Sequence, residues 1–384
     1  MWQAEARIDL AAIRQNVARL KQGTSAELMA VVKADGYGHG MVPAARASLA
    51  AGASWLGVCT LEEALALRDA GITAPVLAWL VSPGLELHRA VAADVDLSVA
   101  SGGLLDEVVT AARRVSRPAR VHLKVDTGLT RGGATVADWP TLLEAVAKAQ
   151  ADGAIETVGI WSHFAYADAP GHPTITRQIA VFREALEAAA RLGVRPAYRH
   201  LANSAATLTL PEAHFDLVRP GIAVYGLSPI HGTTAAYGLR PAMTLRARVM
   251  LAKRVPGGSG VSYGHAYTTP RETTVAVIPL GYADGITRAA GNAGPLLLGG
   301  KRRQIAGRVC MDQFVVDVGD DEVSAGDMAT IFGPGDHGEP TADDWAEVLD
   351  TISYEVVTRI GPRVPRVYDG EVDVDGRERS ETGT

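Results

Sequence analysis

The chain has 384 residues, of which 47% are hydrophobic, and its formal net charge at pH 7 is −6. This length accommodates a full barrel and a second domain, and the lack of a basic tract argues against nucleic acid or an anionic membrane as the main partner. Only two cysteines are present, with no signal peptide pattern and no apolar run of membrane-spanning length, so we expect a cytoplasmic protein without a disulfide framework or a metal cluster.

Short apolar strands alternate with helical stretches between residues 28 and 226. Helical periodicity is clear in Ser101–Val115 and Thr174–Leu192, and Thr60 with Glu63 forms a capping box that begins another helix. Eight such units predict an N-terminal (β/α)8 TIM barrel of the α/β class, although a doubly wound parallel sheet shares this alternation. The predicted strands are Leu28–Lys33, Trp55–Cys59, Pro75–Leu80, Asp96–Val99, Arg120–Asp126, Glu156–Phe164, Tyr198–Ala202 and Leu217–Tyr225.

A connector rich in Ser, Pro, Gly and Thr follows, and helical periodicity nearly disappears after it. We therefore predict a barrel domain over 1–235 and a mostly β domain over 236–384. One helix is expected from Thr341 to about Ile360, because Thr341 and Asp344 have the spacing of a capping box. The charged tail, 370–384, is expected to fray. The predicted strands are Met243–Lys253, Thr274–Leu280, Pro295–Leu298, Arg302–Ala306, Phe314–Val318 and Met328–Phe332.

The segment Ala30–Gly40 brings a single lysine to the end of a buried strand. Lys33 at that position is partly desolvated, and burial favours the neutral amine that attacks an aldehyde. Three glycines within five residues let the backbone pass close to a ligand, and Tyr37 between them can reach an anion. The alternative is a solvated lysine before an ordinary turn.

Polar residues follow other predicted barrel strands, and the carboxyl ends of barrel strands share the face where such enzymes build their sites. Arg131 lies in the glycine-rich loop after the fifth strand. Ser204 at a helix start, with Gly221 and Ile222 after the eighth strand, predicts a phosphate-binding cup. Arg219, inside an apolar strand, is either part of a structural ion pair or a site residue.

A strand-end lysine, a phosphate cup and a strand-buried arginine together match the requirements of pyridoxal 5'-phosphate (PLP). The group that faces the pyridine nitrogen decides the chemistry. A carboxylate keeps that nitrogen protonated and stabilises a carbanion, whereas a guanidinium keeps it unprotonated. The arginine therefore favours a reaction with a short-lived carbanion, such as racemisation.

Eight motifs that span nearly the whole chain agree in order and spacing with one family. They are Val32–Gly40, Lys124–Gly128, His200–Ser204, Val218–Gly221, Ser262–Gly264, Leu280–Gly285, Gly307–Asp312 and Ser353–Glu355. By these motifs the chain resembles the bacterial alanine racemases. The resemblance implies a PLP-dependent isomerase that interconverts L-alanine and D-alanine and supplies D-alanine for peptidoglycan.

The same resemblance implies a role for each matching residue. Lys33 is the lysine that binds PLP and one of two bases, and Tyr263, from the second subunit of an obligate homodimer, is the other. The remaining cofactor contacts are Tyr37, His163, Ser204, Arg219, Gly221, Ile222 and Tyr354. The substrate contacts are Arg131 and Met311, the entrance residues are Tyr282, Asp168, Arg288, Arg308 and Ile352, and Lys124 matches a position that is carbamylated in some relatives.

Three other functions share part of this pattern. A racemase of broader specificity for small amino acids is usually exported, which the missing signal peptide disfavours. A PLP carrier protein shares the barrel and the lysine but needs neither the β-rich domain nor Tyr263. A barrel-type decarboxylase is expected to use a cysteine and a carboxylate of its second domain, which Cys310 and Asp312 match only weakly.

Overall fold

The structure, a computed structural model, describes residues 2–370. Its first strand, β1, spans Ala4–Asp9 and belongs to the second domain's sheet. The next eight strands are β2 (Glu27–Val31), β3 (Trp55–Val58), β4 (Val76–Ala78), β5 (Asp96–Val99), β6 (Ala119–Lys124), β7 (Ile155–Trp161), β8 (Tyr198–His200) and β9 (Leu217–Val218).

These eight strands form one parallel sheet in the order β8-β7-β6-β5-β4-β3-β2-β9. Two backbone hydrogen bonds join its ends, from Asp216 N to Arg199 O at 3.0 Å and from Arg219 N to Ala202 O at 2.9 Å. The predicted TIM barrel is confirmed. Five strands fill the barrel interior with a separate apolar cluster, which consists of Met29, Trp55, Leu77, Val158 and Leu217.

Helices connect the barrel strands, as the alternation predicts. The capping box at Thr60 forms, since Thr60 Oγ1 accepts from Glu63 N and Glu63 Oε2 accepts from Thr60 N, both at 3.2 Å. The helices are α1 (Leu10–Gln22), α2 (Lys33–Tyr37), α3 (Met41–Ala50), α4 (Leu61–Asp69), α5 (Leu87–Ala92), α6 (Gly102–Val115), α7 (Trp139–Ala151), α8 (Pro173–Arg191) and α9 (Ser204–Thr209). Short 3-10 turns follow at Pro211–Ala213, Ile222–Tyr225 and Ala235–Tyr237.

The second domain is mostly β, as predicted, with the two helices α10 (Ala342–Leu349) and α11 (Ser353–Thr358) and 3-10 turns at Tyr263–His265 and Arg288–Ala290. Its strands are β10 (Met243–Arg248), β11 (Leu251–Val255), β12 (Gly260–Val261), β13 (Tyr267–Thr268), β14 (Thr273–Ile278), β15 (Pro295–Leu298), β16 (Lys301–Gln304), β17 (Phe314–Gly319), β18 (Met328–Phe332) and β19 (Arg366–Asp369). They form sheets in the orders β16-β15-β18-β10-β1-β19, β11-β14-β17 and β12-β13.

The N-terminal strand β1 lies between two strands from the far end of the chain. It pairs antiparallel with β10, with Ile8 opposite Met243, and parallel with β19, with Ala6 opposite Arg366. The sequence analysis did not predict this strand. The residues of β1 therefore help to build the sheet of the second domain, although they precede the barrel.

Three predicted elements differ from the structure. The helix expected from Thr341 to Ile360 is two helices, because Asp350 adopts a left-handed conformation with φ 52° that ends α10. The strand expected over Met243–Lys253 is β10 and β11, which lie in different sheets. The eighth barrel strand ends at Val218 rather than Tyr225, since Pro220 has no N–H with which to continue the ladder.

Two further points concern the termini and the surface. Residues 371–384 of the tail that we expected to fray lie outside the described residues. Between residues 2 and 370, no helix has both the length and the apolar character needed to cross a bilayer.

Candidate active site

Lys33 lies two residues beyond the end of β2, at the carboxyl-terminal mouth of the barrel. The four residues after it, Ala34–Tyr37, all have positive φ, between 51° and 60°. Each non-glycine residue in that conformation costs about 1–2 kcal/mol. Two carboxylates hold this strained turn, since Glu63 Oε1 accepts from Ala34 N at 2.7 Å and Asp35 Oδ1 accepts from Met41 N at 2.8 Å.

A cavity of about 570 Å³ opens at this mouth of the barrel. Residues from both domains line it, because Tyr354 of α11 joins residues that follow the barrel strands. The residues of the sequence prediction that line it are Lys33, Tyr37, Lys124, Arg131, His163, Ser204, Arg219, Gly221, Ile222 and Tyr354. The predicted residues that do not line it are Tyr263, Met311, Tyr282, Asp168, Arg288, Arg308 and Ile352.

The cavity carries an excess of positive charge. Four cationic side chains line it, and no Asp or Glu is among its lining residues in the described chain. Burial, together with the charges of Arg219 and Arg131, lowers the pKa of Lys124 to about 8. Burial and the same two arginines also hold the pKa of His163 well below its usual value, so this imidazole is neutral. The cavity therefore suits an anionic ligand.

One wall of the cavity forms a cup of hydroxyl and N–H groups. Ser204 Oγ, at the start of α9, accepts from Gly221 N at 2.8 Å and from Ala223 N at 3.3 Å. Burial, and then the neighbouring Tyr354, raise the pKa of Tyr37, so its hydroxyl stays a donor. Neutral donors around a helix start are a typical phosphate-binding arrangement. This cup and the nearby amine of Lys33 fit an aldehyde that bears a phosphate, as PLP does.

Arg219 is held inside the barrel, and no carboxylate of residues 2–370 is among its hydrogen-bond partners. Its side chain is 4% exposed. Nη2 donates to Ser162 O at 2.8 Å and to His163 Nδ1 at 3.4 Å, and Nη1 donates to His200 Nδ1 at 3.2 Å. Burial lowers the pKa of Arg219 to about 9, which still leaves it a cation at neutral pH. All of these partners are neutral acceptors, so the charge of Arg219 remains available to a ligand.

Trp161 is a site residue that the sequence analysis missed. Arg219 Cζ lies 4.8 Å and Lys124 Nζ 4.3 Å from the centre of its ring, within the range of cation–π attraction. Its Nε1 donates to Ser98 Oγ at 3.0 Å, which fixes the ring. An apolar position at the end of β7 gives no signal of this role, because a barrel strand with tryptophan in the core has the same pattern.

The remaining predicted residues lie mainly on an exposed part of the second domain. Tyr263 is 72% exposed, Met311 52% and Tyr282 44%. The loops that carry them are joined, since Tyr282 N donates to Cys310 O at 3.0 Å and Ser262 Oγ donates to Arg308 O at 2.7 Å. Arg288, Arg308 and Ile352 are also exposed. Burial raises the pKa of the Tyr354 phenol, and the nearby Asp168, which is likewise exposed, raises it further. Across residues 2–370, no three His, Cys, Asp or Glu side chains are grouped to bind a metal ion.

The comparisons with known proteins agree along the whole chain. The family model "Alanine racemase, N-terminal domain" matches residues 8–229, and "Alanine racemase, C-terminal domain" matches residues 242–368. An alanine racemase of Salinispora arenicola is 69% identical over 97% of this chain and 100% of that protein. One of Thermobifida fusca is 60% identical over 96% of this chain and 99% of that protein.

Solved structures give the same result. The crystal structure of alanine racemase from a D-cycloserine-producing Streptomyces lavendulae superposes with a TM-score of 0.96 at 55% identity, and covers 97% of this chain and 98% of that one. Alanine racemase from Streptomyces coelicolor gives 0.95 at 57% identity, with 96% and 98% covered. The chain therefore belongs to the alanine racemase family, PLP-dependent isomerases that interconvert L-alanine and D-alanine (EC 5.1.1.1) and supply D-alanine for peptidoglycan.

Proposed function

We propose that the barrel cavity holds PLP and that its lining residues, completed by a second copy of the chain, racemise alanine in the cytoplasm. The observation that carries this proposal is the combination in one cavity of Lys33, a cup of neutral donors and an arginine without a carboxylate partner. A PLP carrier shares the barrel and the lysine but needs neither Tyr263 nor the β-rich domain.

Each cofactor residue has a role that follows from its position. Lys33 binds the aldehyde carbon, and Tyr37, Ser204, Gly221, Ile222 and Tyr354 surround the phosphate. Arg219 would meet the pyridine nitrogen, and His163 Nδ1 lies 3.4 Å from Arg219 Nη2. When bound, PLP acidifies the Cα–H bond of the substrate amine by withdrawing electrons from it. Because Arg219 is a donor and not an acid at neutral pH, it would leave the ring nitrogen of PLP unprotonated, which suits a reaction that needs little stabilisation of negative charge.

Inversion at Cα requires proton transfer on both faces of the carbon. Lys33 serves one face. Tyr263 lies outside the cavity of its own chain and is largely exposed, so we assign the second face to Tyr263 of the partner subunit. The exposed loops around it form the surface that a second copy covers, and the protein is in this proposal an obligate homodimer with two shared sites.

The substrate side of the site is assigned in the same way. Arg131 lines the cavity and is exposed, which suits a guanidinium that meets an entering carboxylate. Met311, from the exposed loops of the second subunit, completes the carboxylate site through its backbone. Tyr282, Asp168, Arg288, Arg308 and Ile352 surround the entrance, and the narrow passage favours alanine. Racemisation of other small amino acids is the alternative.

The first experiment follows both products of proton exchange. Purified protein, PLP and pure L-alanine are incubated in D2O, and the enantiomer ratio and the deuterium content at Cα are measured together. Drift to a near-equal mixture with deuterium at Cα of the new D-alanine supports the proposal. Release of carbon dioxide, or no reaction despite bound PLP, would contradict it.

A second experiment tests the two bases. Tyr263→Phe is expected to slow racemisation by at least about a hundredfold in both directions, because one face loses its proton-transfer group. Lys33 alone still exchanges the proton on its own face, so one enantiomer is expected to gain deuterium without inversion. The control is Tyr267→Phe in the same domain, whose hydroxyl binds Asp317 at 2.7 Å. Normal racemisation by Tyr263→Phe would remove the two-base assignment.

A further inference from the structure

Four polar side chains form a hydrogen-bonded series across the interior of the barrel behind the cavity. Arg219 Nη1 is 3.2 Å from His200 Nδ1, His200 Nε2 is 2.8 Å from His122 Nδ1, and His122 Nε2 is 3.0 Å from Asp96 Oδ2. All four are buried, with exposed fractions of 4% for Arg219, 1% for Asp96 and 0% for both histidines. Burial of such a polar series in a barrel core costs folding free energy unless every group is hydrogen-bonded.

The donors and acceptors in this series permit only one direction of hydrogen-bond donation. A guanidinium has no acceptor, so His200 Nδ1 must accept from Arg219. Neutral His200 then carries its hydrogen on Nε2 and donates to His122 Nδ1. His122 in turn carries its hydrogen on Nε2 and donates to the Asp96 carboxylate. The three links therefore run from Arg219 to Asp96, and each histidine is fixed in the tautomer with hydrogen on Nε2.

The surrounding strands leave room for these links. The ladder between β6 and β7 shifts register between Val121 and His122, which places His122 opposite Gly159. A Cβ at Gly159 would lie 2.2 Å from His122 Nδ1, the atom that meets His200. The ring of Trp161 lies parallel to His200, at 5.7 Å between centres. Backbone and side chains thus both fit the linked histidines.

An ion pair with Arg120 holds Asp96, the last residue of the hydrogen-bonded series. Arg120 Nε donates to Asp96 Oδ1 at 2.7 Å, and its Nη2 donates to Oδ2 at 3.3 Å. Burial raises the pKa of Asp96, but the hydrogen bonds from His122 and Arg120 outweigh it and hold that pKa below its ordinary value. Asp96 is therefore a carboxylate that only accepts, and its charge is balanced by Arg120 rather than by Arg219.

We infer that Asp96, His122 and His200 are positioning residues for Arg219: they fix its orientation through neutral acceptors and leave its positive charge directed at the cofactor. A carboxylate in direct contact with Arg219 would fix it equally well but would neutralise it. The inference rests on the proposed role of Arg219 at the pyridine nitrogen. The tautomers of the two histidines do not depend on that role.

The first test uses the unmodified protein without cofactor. Histidine labelled with nitrogen-15 distinguishes a ring nitrogen that carries hydrogen from one that does not, and the His122→Gln and His200→Gln variants assign the signals. We expect both histidines to be neutral, with hydrogen on Nε2. Hydrogen on Nδ1 of His200 would overturn the inference, because that nitrogen then cannot accept from Arg219.

The second test is Asp96→Asn, which keeps the shape but replaces one acceptor oxygen by an amide donor. That donor must face either Arg120 or His122 Nε2. In the second case the direction of the hydrogen bonds reverses, which places a His200 N–H against Arg219. We expect a mixture of tautomers at His200, a kcat for alanine about 10–100-fold lower, and a KM that changes less than about threefold. We also expect a changed absorption spectrum of bound PLP, since its ring nitrogen has lost an oriented partner.

The matched control is Glu156→Gln. Glu156 also binds Arg120, at 3.3 Å, but it is exposed and takes no part in the hydrogen-bonded series. Its variant is expected to match the unmodified protein in tautomers, kcat and spectrum. If Asp96→Asn kept a normal kcat, or lost activity only in proportion to folded protein, a positioning role would be refuted. If the unmodified protein did not racemise alanine, the proposed function would fail. The labelled histidines would still decide whether the hydrogen bonds run from Arg219 to Asp96.

Discussion

The cup of the cavity depends on a contact between a glycine and a tyrosine hydroxyl. A Cβ at Gly221 would lie 2.2 Å from Tyr37 Oη and 2.9 Å from Tyr37 Cζ. The close approach of the Tyr37 hydroxyl therefore leaves no space for a side chain at this position. Tyr37 is also packed against Tyr225, with ring centres 5.0 Å apart, so it cannot move back.

Gly221→Ala is accordingly expected to displace Tyr37 from the cup. We expect the dissociation constant for PLP, titrated into cofactor-free protein by fluorescence, to rise by about tenfold or more, which corresponds to about 1.4 kcal/mol. Gly103→Ala is the control, since a Cβ at Gly103 meets nothing within 4 Å and the residue lies in α6. Unchanged affinity in Gly221→Ala would show that Tyr37 does not serve the cup.

Lys124 should titrate near neutral pH because it is buried among cations. Its pKa of about 8 lies below the ordinary lysine value, so the ammonium dominates below pH 8 and the reactive amine above it. In cofactor-free protein, carbamylation of Lys124 by cyanate is followed by peptide mass spectrometry, and its rate constant is expressed per concentration of cyanic acid, the species that the neutral amine attacks. This rate constant is expected to rise with a midpoint near pH 8. A short lysine peptide should give a midpoint of about 10.4. Equal midpoints would contradict the assigned environment.

At the scale of elements, the turn that presents Lys33 is held by a helix of the next barrel unit. Glu63 closes the capping box of α4 and at the same time accepts from Ala34 N at 2.7 Å and from Cys59 N at 2.8 Å. One carboxylate thus joins the start of a helix to a left-handed segment that is unfavourable by itself. The position of the reactive lysine depends on that helix start.

Glu63→Gln should therefore weaken both features. A glutamine has a single acceptor oxygen, so at least one of the bound N–H groups loses its partner. We expect the free energy of unfolding, measured with urea, to fall by about 1–3 kcal/mol, and PLP to bind more weakly. Glu62→Gln, in the same first turn but exposed, is expected to change either quantity little. Equal effects of the two variants would indicate general electrostatics at the helix start instead.

The sequence predicted those elements whose pattern is local. Alternation, capping at Thr60 and the residues after the strands predicted the barrel and several of the polar residues that line the cavity, among them Lys33, Arg131 and Arg219. The strand β1 was missed because its partners, β10 and β19, are more than 200 residues away and leave no trace in the local pattern. The links of His122 to Asp96 and His200 were missed for a similar reason, since a register shift between β6 and β7 decides what His122 meets.

At the scale of the whole molecule, the predicted site residues are divided between a cavity and an exposed surface. Tyr263 and Met311 lie on the exposed loops, whereas Lys33 and Arg219 line the cavity. In the proposed dimer each site takes Lys33 from one chain and Tyr263 from the other. This division can be tested by mixing two inactive variants.

Co-expressed Lys33→Ala and Tyr263→Phe chains should recover activity. Random pairing makes about half of the dimers mixed, and each mixed dimer has one intact site of two, so we expect about one quarter of normal specific activity. Each variant alone is the control and should stay inactive. If both residues acted within one chain, every site would carry a defect and mixing would restore nothing.

The position of β1 also has a consequence for how the chain is made. The residues of β1 are synthesised early, yet Met243, which lies opposite Ile8, and Arg366, which lies opposite Ala6, follow more than 200 and more than 350 residues later. At about 5–20 residues per second, about 12–47 s separate the synthesis of Ile8 from that of Met243, and the barrel strands are made in that interval while both flanks of β1 are still uncovered. A chain that terminates early keeps this strand edge open, and unpaired edges are what aggregation and proteolysis act on. The last strand, β19, thus completes the protection of the first.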